Sequence, residues 1–333
     1  MRCFFDERQR RHAPEVELHN GAFEPFAEHP GRVASILAAI GPVEAPADRG
    51  EAPLLAVHPV DYLDFLRGAH DEWRAAGRPG DAVGYAWPVV RRRALALDRI
   101  DARLGRYSFD ATSPIAAGTW ESAYWSAQTA LAGLDALLAG GRSAFALCRP
   151  PGHHCGADYL GGYSYLSNAA IAAEAAAGSG RRVAILDVDY HHGNGTQDIF
   201  YDRGDVLFVS LHADPVVDYP FFWGHRHERG EGEGEGATFN LPLPRGTGLR
   251  EYLPALERAL ERIAGFGPDL LVCSYGADTF IDDPISYFEL RTGDYRTIGR
   301  RVAELVVPTL VVMEGGYAVD ALGANVAAFL SGF

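Results

Sequence analysis

Five runs of apolar, partly β-branched residues, at 145–148, 183–188, 206–211, 270–274 and 309–313, are too short for helices and show no polar alternation. Strands covered on both faces have that pattern. Segments with helical spacing lie between and before them, at 30–40, 62–76, 120–139, 165–177, 252–263 and 295–305. The alternation predicts a single-domain α/β chain in three layers, α/β/α, with a mostly parallel sheet of about eight strands. Residues 77–118 are punctuated by Gly and Pro and carry the cluster Arg91-Arg92-Arg93. They read as an inserted excursion within one domain spanning 1–333.

At 47% hydrophobic residues the chain has material for a sizeable core, which excludes global disorder. Its 30 Lys+Arg against 44 Asp+Glu give a formal charge of −14. Phosphate backbones are bound by surplus cations, so this balance argues against nucleic acid as a partner and favours cationic small molecules. Cys3, Cys148, Cys155 and Cys273 form no CxxC pair or disulfide framework, as in a reducing compartment. Asp6, Glu7 and Arg8 come before any stretch long enough for a signal peptide, and no run approaches the ~18 apolar residues of a membrane helix. A cytoplasmic protein with no membrane partner is expected.

Four of the five runs lead into loops rich in chemistry: Arg149-Pro150-Pro151-Gly152-His153-His154, Asp189-Tyr190-His191-His192-Gly193-Asn194-Gly195, Gly276-Ala277-Asp278 and Glu314-Gly315-Gly316-Tyr317. Ligands of open α/β sheets bind outside the carboxyl ends of the strands, so these loops should converge on one site.

The densest signal is Asp187-Val188-Asp189-Tyr190-His191-His192. A strand period of two puts Asp187, Asp189 and His191 on one side, where two carboxylates and an imidazole make a metal site. A lone Asp at a strand end also reads as a turn or helix cap; the whole phrase does not. Asp278, after its own buried strand, is the best-placed further ligand. Asp189, His191 and Asp278 would leave a coordination position open, as catalytic zinc requires, although such a set also accepts Fe2+ or Co2+. His153 and His154 read either as a hydrogen-bonded structural pair or, beside a metal, as groups that shuttle the proton of a bound water. Asp187 would then orient one imidazole and Asn194 would face the other. Tyr317 reads as a core aromatic or as a phenol turned by Gly315-Gly316 toward a developing oxyanion.

Together the phrases RPPGHH (149–154), LDVDYHHGNGTQDIFY (186–201), SLHADP (210–215), GADTFIDDPIS (276–286) and MEGGY (313–317) resemble the arginase/deacetylase superfamily. Within it the chain is similar to the zinc-dependent histone-deacetylase-like enzymes, and most to the bacterial acetylpolyamine amidohydrolases, through GADTFIDDPIS and GRYSFD (105–110). The resemblance implies the arginase/deacetylase fold, Zn2+ on Asp189, His191 and Asp278, His154 as main general base and acid, His153 as its electrostatic partner, and Tyr317 as electrophile. It implies that Gly162 and Tyr163 line an acyl tunnel, with Tyr219 across from Tyr163. A structural K+ would sit on Asp187, Ser210 and the backbone carbonyls of Asp189, His191 and Leu211, and a second near Phe200, Arg203 and Val206. Cys155, Ser164, Tyr165 and Arg106 depart from the usual family residues, and GEGEGEG (230–236) reads as a solvated acidic turn.

The activity so implied is hydrolysis of N-acetylated polyamines or diamines, such as acetylputrescine and acetylcadaverine, to acetate and free amine. The alternatives are a lysine deacetylase acting on proteins or peptides and a ureohydrolase, the latter disfavoured because it needs further Asp and His ligands for a second metal. Ammonium groups call for carboxylates beyond the tunnel and an aromatic wall for the methylenes. Glu17, Asp101 and Asp110 are expected to supply the first, and Tyr163, Tyr219 and Tyr107 the second. The resemblance further implies a twofold homodimer with residues 77–118 at its interface, narrowing the mouth.

Overall fold

The computed structural model describes residues 1–88 and 96–333, so the Arg91-Arg92-Arg93 cluster lies outside the described residues. Among the described residues the nine strands are β1 (Arg2–Phe4), β2 (Val16–His19), β3 (Ala22–Pro25), β4 (Ser143–Ala146), β5 (Val183–Asp187), β6 (Val206–Ala213), β7 (Thr238–Leu243), β8 (Leu270–Tyr275) and β9 (Thr309–Met313). The α-helices are α1 (Gly31–Ile40), α2 (Ala52–Leu55), α3 (Val60–Ala75), α4 (Ile100–Tyr107), α5 (Thr119–Leu138), α6 (Asn168–Ala177), α7 (Asn194–Phe200), α8 (Leu249–Phe266), α9 (Thr292–Ala303) and α10 (Val319–Leu330).

Seven strands form one sheet in the order β1-β4-β9-β8-β5-β6-β7, every pair parallel. The expected count of about eight is corrected to seven, because β2 and β3 pair only with each other as an antiparallel hairpin. All five expected strands are present. β1 is only three residues long, and β7 (TFNLPL) carries a Pro at the sheet edge, so neither has the continuous apolar run that marks a central strand.

One face of the sheet packs Leu186, Leu211, Cys273 and Val311 against α1, α8, α9 and α10; the other packs Ile185, Phe208, Val272 and Val312 against α5 and α6. This is the three-layer α/β/α arrangement. Helix α8 shows how the pattern works locally: Tyr252, Ala255, Leu256, Ala259, Leu260 and Ile263 recur every three or four residues and are buried, while its arginines and glutamates face outward. It ends at Gly267, whose φ of 66° is a left-handed conformation open to glycine.

Helix α6 starts three residues later than its periodicity suggests. Tyr165 belongs to the loop before it, where its hydroxyl donates to the Pro114 carbonyl at 2.6 Å and its own carbonyl accepts from Tyr62 at 2.7 Å. The excursion at 77–118 contains α4, is joined by a bridge between Ala82 and Ile115, and stacks Tyr107 on Phe65 of α3 at 4.6 Å. Tyr107 therefore packs in the core and is no part of an aromatic wall at the mouth. No helix among the described residues is long and apolar enough to cross a membrane.

Candidate active site

Strand β5 ends at Asp187, and its neighbours β6 and β8 bring Ser210 and Ser274 into register beside it. The loops that follow these strands meet there. One donor atom each from Asp189, His191 and Asp278 lies within 4.8 Å of the others. Backbone amides aim the carboxylates: His191 N donates to Asp189 Oδ1 and Gly315 N to Asp189 Oδ2, both at 2.8 Å, and Tyr190 N donates to Asp278 Oδ1 at 2.9 Å. A Cβ at Gly276 would clash with Asp189 Oδ2, and one at Gly315 with Asp278 Oδ2, so both glycines keep the cradle open.

The donor set fits a divalent cation. Burial, and then the neighbouring Asp189, push the Asp278 carboxyl up to about 7. Burial alone would lower the His191 imidazole, yet Asp189 and Asp278 outweigh it and raise it to about 10. A cation between two buried carboxylates and an imidazole relieves that strain, and the ligand types suit zinc or a similar borderline metal.

His153 and His154 lie side by side, ring centres 4.1 Å apart. His153 Nδ1 is 3.0 Å from Asp187 Oδ2, and the carboxylates of Asp189 and Asp187 overcome burial to raise this imidazole to about 10. His154 Nδ1 is 2.7 Å from Asn194 Oδ1, an oxygen that only accepts, so Nδ1 carries the proton and Nε2 keeps its lone pair. Burial and the neighbouring His153 and His191 hold His154 well below the ordinary histidine value. The two imidazoles, alike in sequence, are thus chemically unlike: one favours the cation, the other the neutral base.

Tyr317 is buried among Phe26 and Tyr163, and Asp283 fixes its backbone by accepting from Tyr317 N at 2.7 Å. Glu314, quoted in the sequence phrase without a role, proves to brace the floor. Its carboxylate accepts from Gly152 N, His153 N and Ser274 Oγ at 2.7, 3.2 and 3.0 Å, and burial pushes it up to about 7. Beneath it Arg32 donates to the carbonyls of Gly316 and Glu314 and pairs with Glu28, which also holds Arg149. No local signal separates these buried charges from surface ones; they are identified by tertiary burial.

A cavity of about 500 Å³ leads to this floor. His154, His191, Gly162, Tyr163, Tyr219 and Tyr317 line it, with Tyr219 edge-on to His154 at 5.2 Å. Its outer lining includes the exposed Asn20, Glu24, Phe221, Arg245 and Tyr287. The acidic trio expected there is placed differently. Glu17 is buried behind the wall, accepting from the Tyr163 hydroxyl at 2.9 Å. Asp110 accepts from Tyr219 OH and Gly162 N, both at 2.8 Å, and so positions the wall. Within one chain Asp101 is remote from the cavity, paired with Arg78 and Arg99 at 2.6 and 2.7 Å, because α4 turns it toward those arginines. Two carboxylates do line the cavity, Glu24 and Asp218. Arg245 grips Asp218 through two nitrogens, at 2.7 and 2.9 Å, which leaves Glu24 as the acidic group that no guanidinium neutralises. Glu24 sits on the β2–β3 hairpin, whose turn Asn20-Gly21, with φ of 50° and 83°, is a hairpin signal readable in the sequence.

Ser210 Oγ, expected at a potassium site, is 2.8 Å from His212 Nδ1 beside Asp187. Cys155 is buried, its Sγ 3.4 Å from the Tyr62 hydroxyl, and none of the four cysteines is in a disulfide.

The chain is similar to known proteins along its whole length. The histone deacetylase domain family matches residues 27–333. The chain is 51% identical over 341 residues to acetylpolyamine amidohydrolase 1 of Pseudomonas aeruginosa, covering 100% of this chain and 99% of that protein. It is 47% identical to the acetylpolyamine amidohydrolase of Mycoplana ramosa, again over 100% of this chain and 99% of that one. The crystal structure of an acetylpolyamine aminohydrolase from Burkholderia pseudomallei superimposes with a TM-score of 0.96 at 41% identity, covering 100% of this chain and 98% of the other. On fold, site geometry and end-to-end likeness alike, the chain belongs to the histone deacetylase family of metal-dependent amide hydrolases.

Proposed function

We propose that this protein removes the acetyl group from N-acetylated polyamines or diamines, such as acetylputrescine and acetylcadaverine, with Zn2+ on Asp189, His191 and Asp278. The observation that carries the reading is the cavity itself. It runs from Glu24, a carboxylate with no guanidinium partner and with His19 Nδ1 3.9 Å away, past Tyr163 and Tyr219 to the imidazole of His154, the imidazole of His191 and the phenol of Tyr317. That sequence of surfaces suits an ammonium, then methylenes, then an amide. The relatives named for acetylpolyamines share the whole length of the chain, which supports the same substrate class.

The metal, when bound, supplies a Lewis acid that lowers the pKa of water toward ~7. His154, neutral and with Nε2 free, accepts the proton of the attacking water, while Asn194 holds the ring in the required tautomer. Tyr317 donates its hydroxyl hydrogen to the amide oxygen as negative charge grows there. His154 then returns the proton to the amine nitrogen as the C–N bond breaks, giving acetate and a free amine without a covalent intermediate. His153, held cationic by Asp187, keeps positive charge beside the base, so that in the resting site His154 is neutral and its Nε2 is free to accept. Potassium on Asp187, Ser210 and the carbonyls of Asp189, His191 and Leu211 is part of the same proposal. So is a homodimer in which the excursion, whose Tyr85 and Trp87 are exposed, faces its twofold mate.

The test is a kcat/KM panel on zinc-loaded protein over acetylputrescine, acetylcadaverine, acetylspermidine, acetylspermine and an acetyllysine peptide, with acetate release as readout. Preference for the peptide by tenfold or more would replace the proposal with lysine deacetylation. Urea release from arginine, with two metals per chain, would replace it with ureohydrolysis.

A further inference from the structure

A second cavity, of about 450 Å³, opens beside the start of β7 and is lined by Arg226, Arg229, Arg258 and Arg262, with Thr238 and Phe239 of the strand. The catalytic loops follow the far ends of the strands, so this cavity is separate from the active site. Arg226 and Arg229 come from the connection between β6 and β7, and Arg258 and Arg262 stand one turn apart on α8.

Neighbouring arginines are neutralised in the usual way: Arg245 by Asp218 and Arg301 by Glu257. Among the described residues none of the four lining this cavity has a carboxylate partner, and the acidic loop at 230–236 pairs with none of them. Three are tethered by uncharged groups. Arg262 Nη2 donates to the Gly236 carbonyl at 2.6 Å, Arg226 Nη2 reaches the Pro242 carbonyl at 3.5 Å, and the Arg258 guanidinium lies 5.8 Å from the Phe239 ring centre.

Four guanidiniums gathered on one concave surface repel one another, and an anion with several oxygens bridges them. The guanidinium fork matches phosphate oxygens through paired hydrogen bonds. The chain's net charge of −14 works against anions at long range. At physiological ionic strength, however, charges beyond ~8 Å are largely screened, so the local cluster decides. The concave shape suits a compact ligand whose negative charges lie a few ångströms apart.

We infer that this cavity is a binding site for a small polyphosphate, an inorganic polyphosphate or an ester bearing two or more phosphoryl groups, held by Arg226, Arg229, Arg258 and Arg262. The probe is inorganic tripolyphosphate, titrated calorimetrically into the metal-loaded full-length protein at low salt, with orthophosphate and sulfate as comparisons and metal content measured before and after. Tripolyphosphate should bind once per chain and at least tenfold more tightly than either comparison anion. R258Q/R262Q should weaken it at least tenfold with an unchanged melting temperature, and R226Q/R229Q, on the other wall, should do the same. A diphosphate ester competing with tripolyphosphate in the parent would identify the ester as ligand; no competition would identify the inorganic chain. Binding as tight as the parent's in both double variants would overturn the inference, as would heat that tracks loss of metal. Tighter binding of a single-stranded RNA oligomer than of tripolyphosphate would overturn it in favour of a nucleic-acid surface.

Discussion

At the floor of the active-site cavity, His153, His154 and Tyr317 are buried and tied to Asp187, Asn194 and Asp283, residues that their own or neighbouring strand-end loops supply. At the rim, Glu24, Phe221, Arg245 and Tyr287 are exposed and come from a hairpin and three separate connections. The floor is rigid because a hydrogen bond or a packed ring fixes each group, whereas the rim depends on how distant segments happen to meet. Chemistry should therefore be lost all at once when the floor is changed, and selectivity should shift by degrees when the rim is changed.

The largest effect should come from Asp278→Ala. Removing one of three ligands should abolish turnover and bring bound metal from about one per chain to near none, while the sheet beneath keeps its apolar contacts and unfolds cooperatively. A folded variant with full metal occupancy and full activity would break the division between floor and rim. Next, Tyr317→Phe should retain metal and substrate affinity but slow kcat by about two to three orders of magnitude, the usual cost of one oxyanion donor. A kcat within threefold of the parent would assign the electrophile elsewhere.

At the rim, Glu24→Gln should raise KM for acetylated diamines by roughly three- to tenfold, leave kcat alone and spare a neutral N-alkylacetamide, with the difference fading in high salt. Equal losses on charged and neutral amides would show that Glu24 shapes the hairpin without meeting the ammonium. The smallest effect concerns Glu17, behind the wall. Burial raises its carboxyl from 4.5 to about 7. The folded chain thus keeps a proton that the unfolded chain has lost, and stability falls as pH rises through that window. Melting curves from pH 4.5 to 7.5 should show Glu17→Gln losing less of its melting temperature than the parent, by a few degrees. Parallel curves would mean that water solvates Glu17 in the folded protein.

The floor was legible because its chemistry is contiguous. DVDYHH puts two ligands and a positioning carboxylate within one strand end, and three more buried strands deliver the remaining loops to the same place. What escaped was what depends on partners far along the chain. Asp101 looks like a free acidic residue until Arg78, 23 residues earlier, is seen to hold it. Asp110 looks like a charge for substrate until Tyr219 and Gly162 are found on it. The helix α7 within HHGNGTQDIF was hidden by glycines that read as a turn. Glu24 was recoverable, since Asn20-Gly21 marks its hairpin, but the strands on either side are short and half polar.

The glycines of the floor carry a consequence for how such an enzyme diversifies. A Cβ at Gly162 would strike the His154 ring, one at Gly193 the Asp187 carboxylate, and those at Gly276 and Gly315 the ligands Asp189 and Asp278. Each of these four side chains is thus backed by a residue with no smaller neighbour to mutate toward and no larger one it can tolerate. Drift is closed to these four positions, one by one, whatever the substrate. The rim has no such lock: Glu24, Phe221 and Tyr287 face solvent and accept exchange without disturbing the groups beneath. Duplicated copies of this chain can part company in what they accept while remaining identical in what they do to it.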